Sequence, residues 1–163
     1  YVEDSGRGYR KIVCSPEPVG IVESSFIKGL TSLGLSIIAG GGGGIPLVQN
    51  DDGTLSGCEA VIDKDLTSAL LAKEIGASTL VILTGVERVA INYNRPEQQW
   101  LDTVSLAQMK QYYQEGHFAE GSMGPKVLAA MRFVENSGSR AIITCLEKVL
   151  EALRGQTGTI IVA

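Results

Sequence analysis

The run STLVILT, Ser78 to Thr84, constrains the fold of this chain more than any other stretch. It is continuous, apolar and rich in β-branched residues. A strand with one wet face alternates apolar and polar side chains, so a strand without alternation is covered on both faces. Such a strand needs helices above and below its sheet, and the neighbouring sequence supplies them. Leu66, Ala69, Leu70 and Ala72 recur at helical spacing within Lys64 to Ile75, and Gly76 is a fitting stop. Further helices are predicted from about Ser105 to Glu115, Met123 to Asn136 and Leu146 to Leu153. Strands are predicted at Ala141 to Thr144, at the closing TIIV and, briefly, at VAINY. Upstream, Ile21, Val22, Phe26, Ile27, Leu30 and Leu33 predict a helix ending at Gly34, and Leu35 to Ala39 reads as a buried strand. NDDG, Asn50 to Gly53, is a turn signal. Strands alternating with helices imply right-handed crossovers and a largely parallel sheet, whose ligands bind at the carboxyl ends of the strands.

Composition narrows the function classes. With 163 residues, 44% hydrophobic and 20% charged, the chain reads as one ordinary soluble domain with a sizeable core. A net charge of -4 argues against nucleic acid and anionic membrane surfaces, so any anionic ligand must be held locally. Cys14, Cys58 and Cys145 are widely spaced and His117 is the only histidine, which disfavours a disulfide framework and a zinc site. No apolar stretch reaches membrane-span length and no charged-then-apolar segment opens the chain, so a cytoplasmic setting is expected. The opening YVEDSGRGYRKIVCSPEP has no methionine and reads as the middle of a longer protein.

Two features point to a phosphate-bearing ligand. LSIIAGGGGGIPLV feeds an apolar run into five consecutive glycines. Bare backbone of that kind is either a flexible loop or a close approach to a ligand, in which φ > 0 brings N–H groups up to an anion. In AVIDKDLTSALLA, Asp63 is a natural N-cap that places Lys64 and Asp65 in the first turn of a helix. A lysine there opposes the helix dipole unless an anion sits beside it. The arrangement repeats in EGSMGPKVLAAMRFV, where Ser122 can cap, Pro125 suits the first turn and Lys126 lies at the helix start. Each motif alone also fits a solvated lysine or a simple turn. Together they describe a polyphosphate site, although no G-x-x-x-x-G-K-[ST] loop is present.

The motifs DSGRGYRKIV-SPEP, AGGGGIP, EAVIDKD, LTGVERVAINYNRPEQQWL, GHFAEGSMGPKV and RAIIT-LEKVLEAL-G-TGT, taken in order, closely resemble the carbamate kinases of the amino acid kinase family. The resemblance runs from Tyr1 to Ala163. It implies an α/β fold, a three-layer αβα sandwich with a mainly parallel sheet, of which residues 1–163 form the carboxyl-terminal, ATP-binding half. The implied reaction is reversible phosphoryl transfer between ATP and carbamate, giving ADP and carbamoyl phosphate. Lys64, Asp65 and Lys126 would be catalytic, with Asp65 orienting the two phosphate-binding lysines. Asp63, Thr84, Gly85, Val86, Val89 and Tyr93 would hold the nucleotide, and Met123 and Pro125 would close on its adenine side. Gly41, Gly42 and Gly43 would form the loop beside carbamate and the transferring phosphoryl group, and alanine is expected to be harmful at Gly42 and mild at Gly40. ATP/ADP with Mg²⁺ riding on the phosphates is the implied cofactor, with no metal held by side chains. The implied partners are the amino-terminal half of the same enzyme and, when complete, a second copy.

Departures from the family pattern are Gly40, which lengthens the glycine run by one, Glu120 in place of a frequent proline, and the lack of any counterpart to the family's amino-terminal half. Two other readings stand beside this one: a kinase of another small carboxylate on the same fold, and a non-catalytic nucleotide-binding module.

Overall fold

A computed structural model describes residues 1–3 and 8–163, so part of the DSGRGYRKIV motif lies outside the described residues. The chain begins with β1 (Val2–Glu3) paired antiparallel to β2 (Tyr9–Arg10), then α1 (Ser24–Ser32) and a hairpin of β3 (Leu47–Gln49) and β4 (Leu55–Gly57). The predicted NDDG turn is the tip of that hairpin, closed by Gly53 N–H donating to Asn50 O at 2.9 Å. Next come α2 (Lys64–Ile75), β5 (Thr79–Leu83) and a short hairpin of β6 (Ala90–Ile91) and β7 (Gln99–Trp100). The remainder is β8 (Thr103–Ser105), α3 (Leu106–Gln114), α4 (Met123–Ser137), β9 (Arg140–Thr144), a 3-10 turn (Leu146–Lys148) running into α5 (Val149–Leu153), and β10 (Thr159–Val162).

The central sheet has the order β5-β9-β10-β8. β5 runs parallel to β9 and β8 parallel to β10, while β9 and β10 are antiparallel, so the sheet is mixed and mainly parallel. Leu80 and Ile82 of β5 point into one core with Ala141, Ile143, Ile161 and the inner faces of α2, α3 and α4, where Met109, Val127, Phe133 and Val134 are almost wholly buried. Ile142 and Thr144 point the other way, and α5 covers them through Ala152 and the close approach of Gly158. These are the three layers the resemblance implies, with the second helix layer thin on the β5 side, where Leu83 stays 42% exposed.

Leu35 to Ala39 is not the buried strand expected from its composition. It forms no strand pairing, Leu35 is 52% exposed and Ile38 fully so. Apolar β-branched residues make a strand only when a neighbour accepts their ladder hydrogen bonds, and none of the described residues does. VAINY likewise shrinks to Ala90–Ile91, because Asn92 turns the chain at φ +51°.

The connections α2–β5 and α4–β9 are short, which makes each helix antiparallel to the strand it feeds. The amino ends of α2 and α4 therefore lie beside the carboxyl ends of β5 and β9. Thr84 N–H donating to Thr144 O at 2.9 Å ties those two strand ends together. One sheet edge thus receives both helix starts and the loop that follows β5.

Candidate functional site

Asp63 starts α2. Its Oδ1 accepts from the N–H groups of Asp65 at 2.8 Å and Leu66 at 3.1 Å, leaving the next two side chains at the open end of the helix. Asp65 is 8% exposed, and its Oδ2 accepts from Lys126 Nζ at 2.9 Å and Lys64 Nζ at 3.4 Å. A single carboxylate oxygen therefore gathers two ammonium groups from the starts of two helices. The side chain of Lys126 is 15% exposed and that of Lys64 57%, so one lysine is fixed and the other is free to reach. The three side chains together carry one net positive charge beside two helix amino ends, a standing field for an anion.

The expected cap of α4 is different. The Ser122 side chain makes no cap hydrogen bond; Gly124 N–H instead donates to Ala119 O at 2.8 Å, so a tight turn of the preceding loop starts this helix. A Cβ at Gly124 would stand 3.0 Å from that carbonyl, which favours glycine just before Pro125.

The cluster opens into a cavity of about 830 Å³. Asp63, Lys64 and Asp65 form one wall. Thr84, Gly85, Val86 and Arg88, in the loop after β5, form the next. The hairpin adds Asn92, Tyr93, Arg95 and Trp100, and the segment leading into α4 closes the space with Glu115, His117, Phe118, Met123, Pro125 and Lys126. Tyr93 and Trp100 meet edge to face with ring centroids 6.4 Å apart, making a partly exposed aromatic wall.

Of the residues singled out in the sequence, Val89 is the one in the β5–β6 stretch that stands behind the wall. It is fully buried; its N–H donates to Thr159 Oγ1 and its carbonyl accepts from Leu101 N–H, both at 2.8 Å, so its place is in the core. Gly41, Gly42 and Gly43 also lie outside the cavity lining, and Gly43 packs against the residues that start α2. Gly43 is the demanding position: at φ +132° a Cβ would stand 1.9 Å from Ile62 O, and the Gly43 carbonyl accepts from buried Thr67 Oγ1 at 2.8 Å. The steric expectation for Gly42 and Gly40 reverses, since Gly42 has open space and no positive φ whereas Gly40 has φ +79°.

Arg88, Asn92, Arg95, Trp100, Glu115, His117 and Phe118 line the cavity without having been assigned a role from the sequence. All but Glu115 fall inside quoted motifs, and for Asn92, Arg95 and Trp100 the signal that could have marked them is the density of polar and aromatic residues in NYNRPEQQW, unusual for a plain hairpin.

Residues 5–145 match the amino acid kinase family. The carbamate kinase of Thermococcus kodakarensis is 52% identical over 161 residues, covering 99% of this chain and 51% of its own length. The carbamate kinase-like protein YahI of Escherichia coli is 54% identical over 162 residues, with 99% and 51% covered. Among solved structures, carbamate kinase from Giardia lamblia bound to AMP-PNP superposes with a TM-score of 0.93 at 44% identity, across 99% of this chain and 51% of that one. The chain spans about half the length of the curated relatives it matches.

Proposed function

This chain belongs to the amino acid kinase family, and on that premise we propose that it supplies the carboxyl-terminal, nucleotide-binding half of an enzyme that moves a phosphoryl group between ATP and carbamate. The observation that carries the reading is the convergence of Lys64 and Lys126 on Asp65 Oδ2 at the wall of the cavity. A polyphosphate is the ligand such a cluster fits, and the aromatic wall of Tyr93 and Trp100 suits a base.

In the forward direction a carbamate oxygen attacks the γ-phosphorus of ATP. The new P–O bond forms as the bond to the bridging oxygen breaks, and ADP leaves with that electron pair. Carbamate is already an anionic nucleophile, so no side chain has to remove a proton. The protein's work is alignment and charge compensation. Lys126, held by Asp65, meets the oxygens whose charge grows during transfer, and the freer Lys64 follows them. Asp63, Thr84, Gly85 and Val86 border the nucleotide, with Met123 and Pro125 on the adenine side; Gly41 and Gly42 offer bare backbone next to the start of α2. Asp65 Oδ2 is committed to the lysines, so Mg²⁺ would take its ligands from phosphate oxygens and water.

The other half of the relatives' length would contribute the remaining substrate contacts, and a complete enzyme would pair as a homodimer. The three free cysteines suit a reducing, cytoplasmic setting, and no helix among the described residues is long and apolar enough to cross a membrane. A second reading is a nucleotide-binding module without turnover, since the carboxylate–lysine cluster and the cavity would hold a nucleotide whether or not transfer follows. Titration calorimetry with ADP, followed by ATP formation from ADP and carbamoyl phosphate with and without the complementary half, separates the two. Binding with turnover in the complemented sample supports the kinase, binding without turnover the module, and no binding defeats both. Turnover with acetyl phosphate but not carbamoyl phosphate would move the substrate to another small carboxylate.

A further inference from the structure

His117 stands in the wall of the same cavity without a bond to the lysine cluster, and both of its ring nitrogens are engaged. Nδ1 faces the backbone N–H of Asn92 at 3.4 Å, and Nε2 lies 3.1 Å from Glu115 Oε2. A backbone amide can only donate, so Nδ1 carries no proton and the proton sits on Nε2, donated to Glu115. The ring packs edge-on to Tyr112 at a centroid distance of 5.8 Å, which holds its plane. Asn92 in turn begins the 92–98 turn between β6 and β7, at φ +51°. That turn is tied internally by Arg95 N–H to Asn92 O and Gln98 N–H to Arg95 O, each 3.0 Å, and by Asn94 N–H to Gln98 Oε1 at 2.9 Å. Among the described residues, the His117 bond to Asn92 is the one hydrogen bond joining this turn to the 115–118 segment.

We propose that His117 is a positioning residue for the ligand's base: as an Nε2–H imidazole it latches the hairpin turn to the segment before α4 and so fixes how these two adjoining parts of the wall stand beside the base. This rests on the nucleotide reading above. The turn is tied within itself but, among the described residues, has no other polar tether to the 115–118 segment, so losing the latch frees it as a unit. Tyr93, within the turn, moves with it, while Trp100 stays paired to Ala90 in the β6–β7 ladder. The lysine cluster sits on α2 and α4 and is left unchanged.

The two nitrogens can be separated by substitution, because an Asn side-chain oxygen reaches the place of Nδ1 and a Gln side-chain nitrogen that of Nε2. His117→Asn keeps the acceptor for Asn92, whereas His117→Gln keeps only the donor to Glu115. In the 163-residue chain, ADP affinity should stay near wild type in His117→Asn and fall roughly three- to tenfold in His117→Gln, the range of one hydrogen bond. Inorganic pyrophosphate, which reaches only the lysine end, should bind all three proteins alike. Two readouts need no nucleotide: heteronuclear NMR of the ring should show a protonated Nε2 and bare Nδ1, and the Asn92 amide should exchange faster in His117→Gln than in His117→Asn. ADP binding that falls equally in both variants, or falls only in His117→Asn, overturns the proposal while leaving the nucleotide reading intact. A protonated Nδ1 in wild type overturns it as well. If wild type binds no ADP, the nucleotide reading fails and the proposal falls with it, and the Asn92 exchange rates then tell whether the latch exists as structure alone.

Discussion

Asp65, Lys126 and Gly43 divide the work of the site between charge and backbone. Replacing Lys126 by Ala removes the ammonium that Asp65 holds closest, and turnover of the complete enzyme should drop roughly a hundred- to thousandfold, about 2.7 to 4 kcal/mol, as for loss of one preorganised donor. Steady-state kinetics with carbamoyl phosphate and ADP check this, and near-normal turnover would remove Lys126 from the mechanism. Asp65→Asn is the informative companion. The amide oxygen still accepts from the lysines, so folding changes little, but the cluster gains one net positive charge and loses the carboxylate that sets its spacing. ADP affinity should hold or rise while turnover collapses, a split that a purely structural carboxylate would not produce. At Gly43 the outcome is the opposite kind. An alanine Cβ placed 1.9 Å from Ile62 O forces α2 and the glycine run apart, and destabilisation of about 2 to 4 kcal/mol is expected from overpacking together with the positive φ. Gly42→Ala, with open space around it, should fold like wild type. Equilibrium unfolding in urea separates the two, and equal midpoints would refute the packing argument.

The elements show why some of this was legible in the chain and some was not. α2 begins at Lys64 and ends before Gly76 as read from the sequence, because an Asp cap and a left-handed glycine mark both ends locally. β5 and β9 were legible because their partners lie in the same chain. Leu35 to Ala39 is not legible in this way, because strand formation depends on a neighbour that composition does not reveal, and neither is β8, because three residues carry no periodicity. The site was legible where chemistry coincides with a helix start, at Lys64 and Lys126. It was opaque at His117, whose role depends on a backbone amide far away in sequence. Between helices, Lys110 on α3 donates to Glu135 on α4 at 2.5 Å, and this hydrogen bond, then the lysine's charge, holds the Glu135 carboxyl below its ordinary value. A carboxyl depressed in the folded state stabilises at pH above its unfolded value, and the contribution is lost as pH falls through the folded one. Unfolding midpoints measured from neutral to acid pH should therefore decline less steeply in Glu135→Gln than in wild type; parallel curves would show that the pair contributes nothing.

At the scale of the whole molecule, the apolar surface is uneven. The α2–α3–α4 side of the sheet is a closed core, whereas Val19 at 98% exposure, Phe26 at 68%, Ile38 at 102% and Ile45 at 86% cluster on the segments that precede α2. Ile27 is the single buried apolar side chain of α1. β5 forms one edge of the sheet and pairs, among the described residues, with β9 alone. Exposed apolar side chains together with an open strand edge are what a sheet presents where more of it is meant to continue, and the family relatives have about as much chain again to offer. The cation cluster and cavity are assembled without that surface, because α2, α4 and the loop after β5 are tied to each other through the closed core. Binding and turnover should therefore separate. The 163-residue chain alone is expected to bind ADP, to self-associate in size-exclusion chromatography with light scattering, and to show no detectable ATP formation from carbamoyl phosphate. Addition of the complementary half should suppress self-association and restore turnover together, because one surface is responsible for both. A monodisperse 17.3 kDa species with full activity would show that the exposed segments have no partner to find and that the site is complete as it stands.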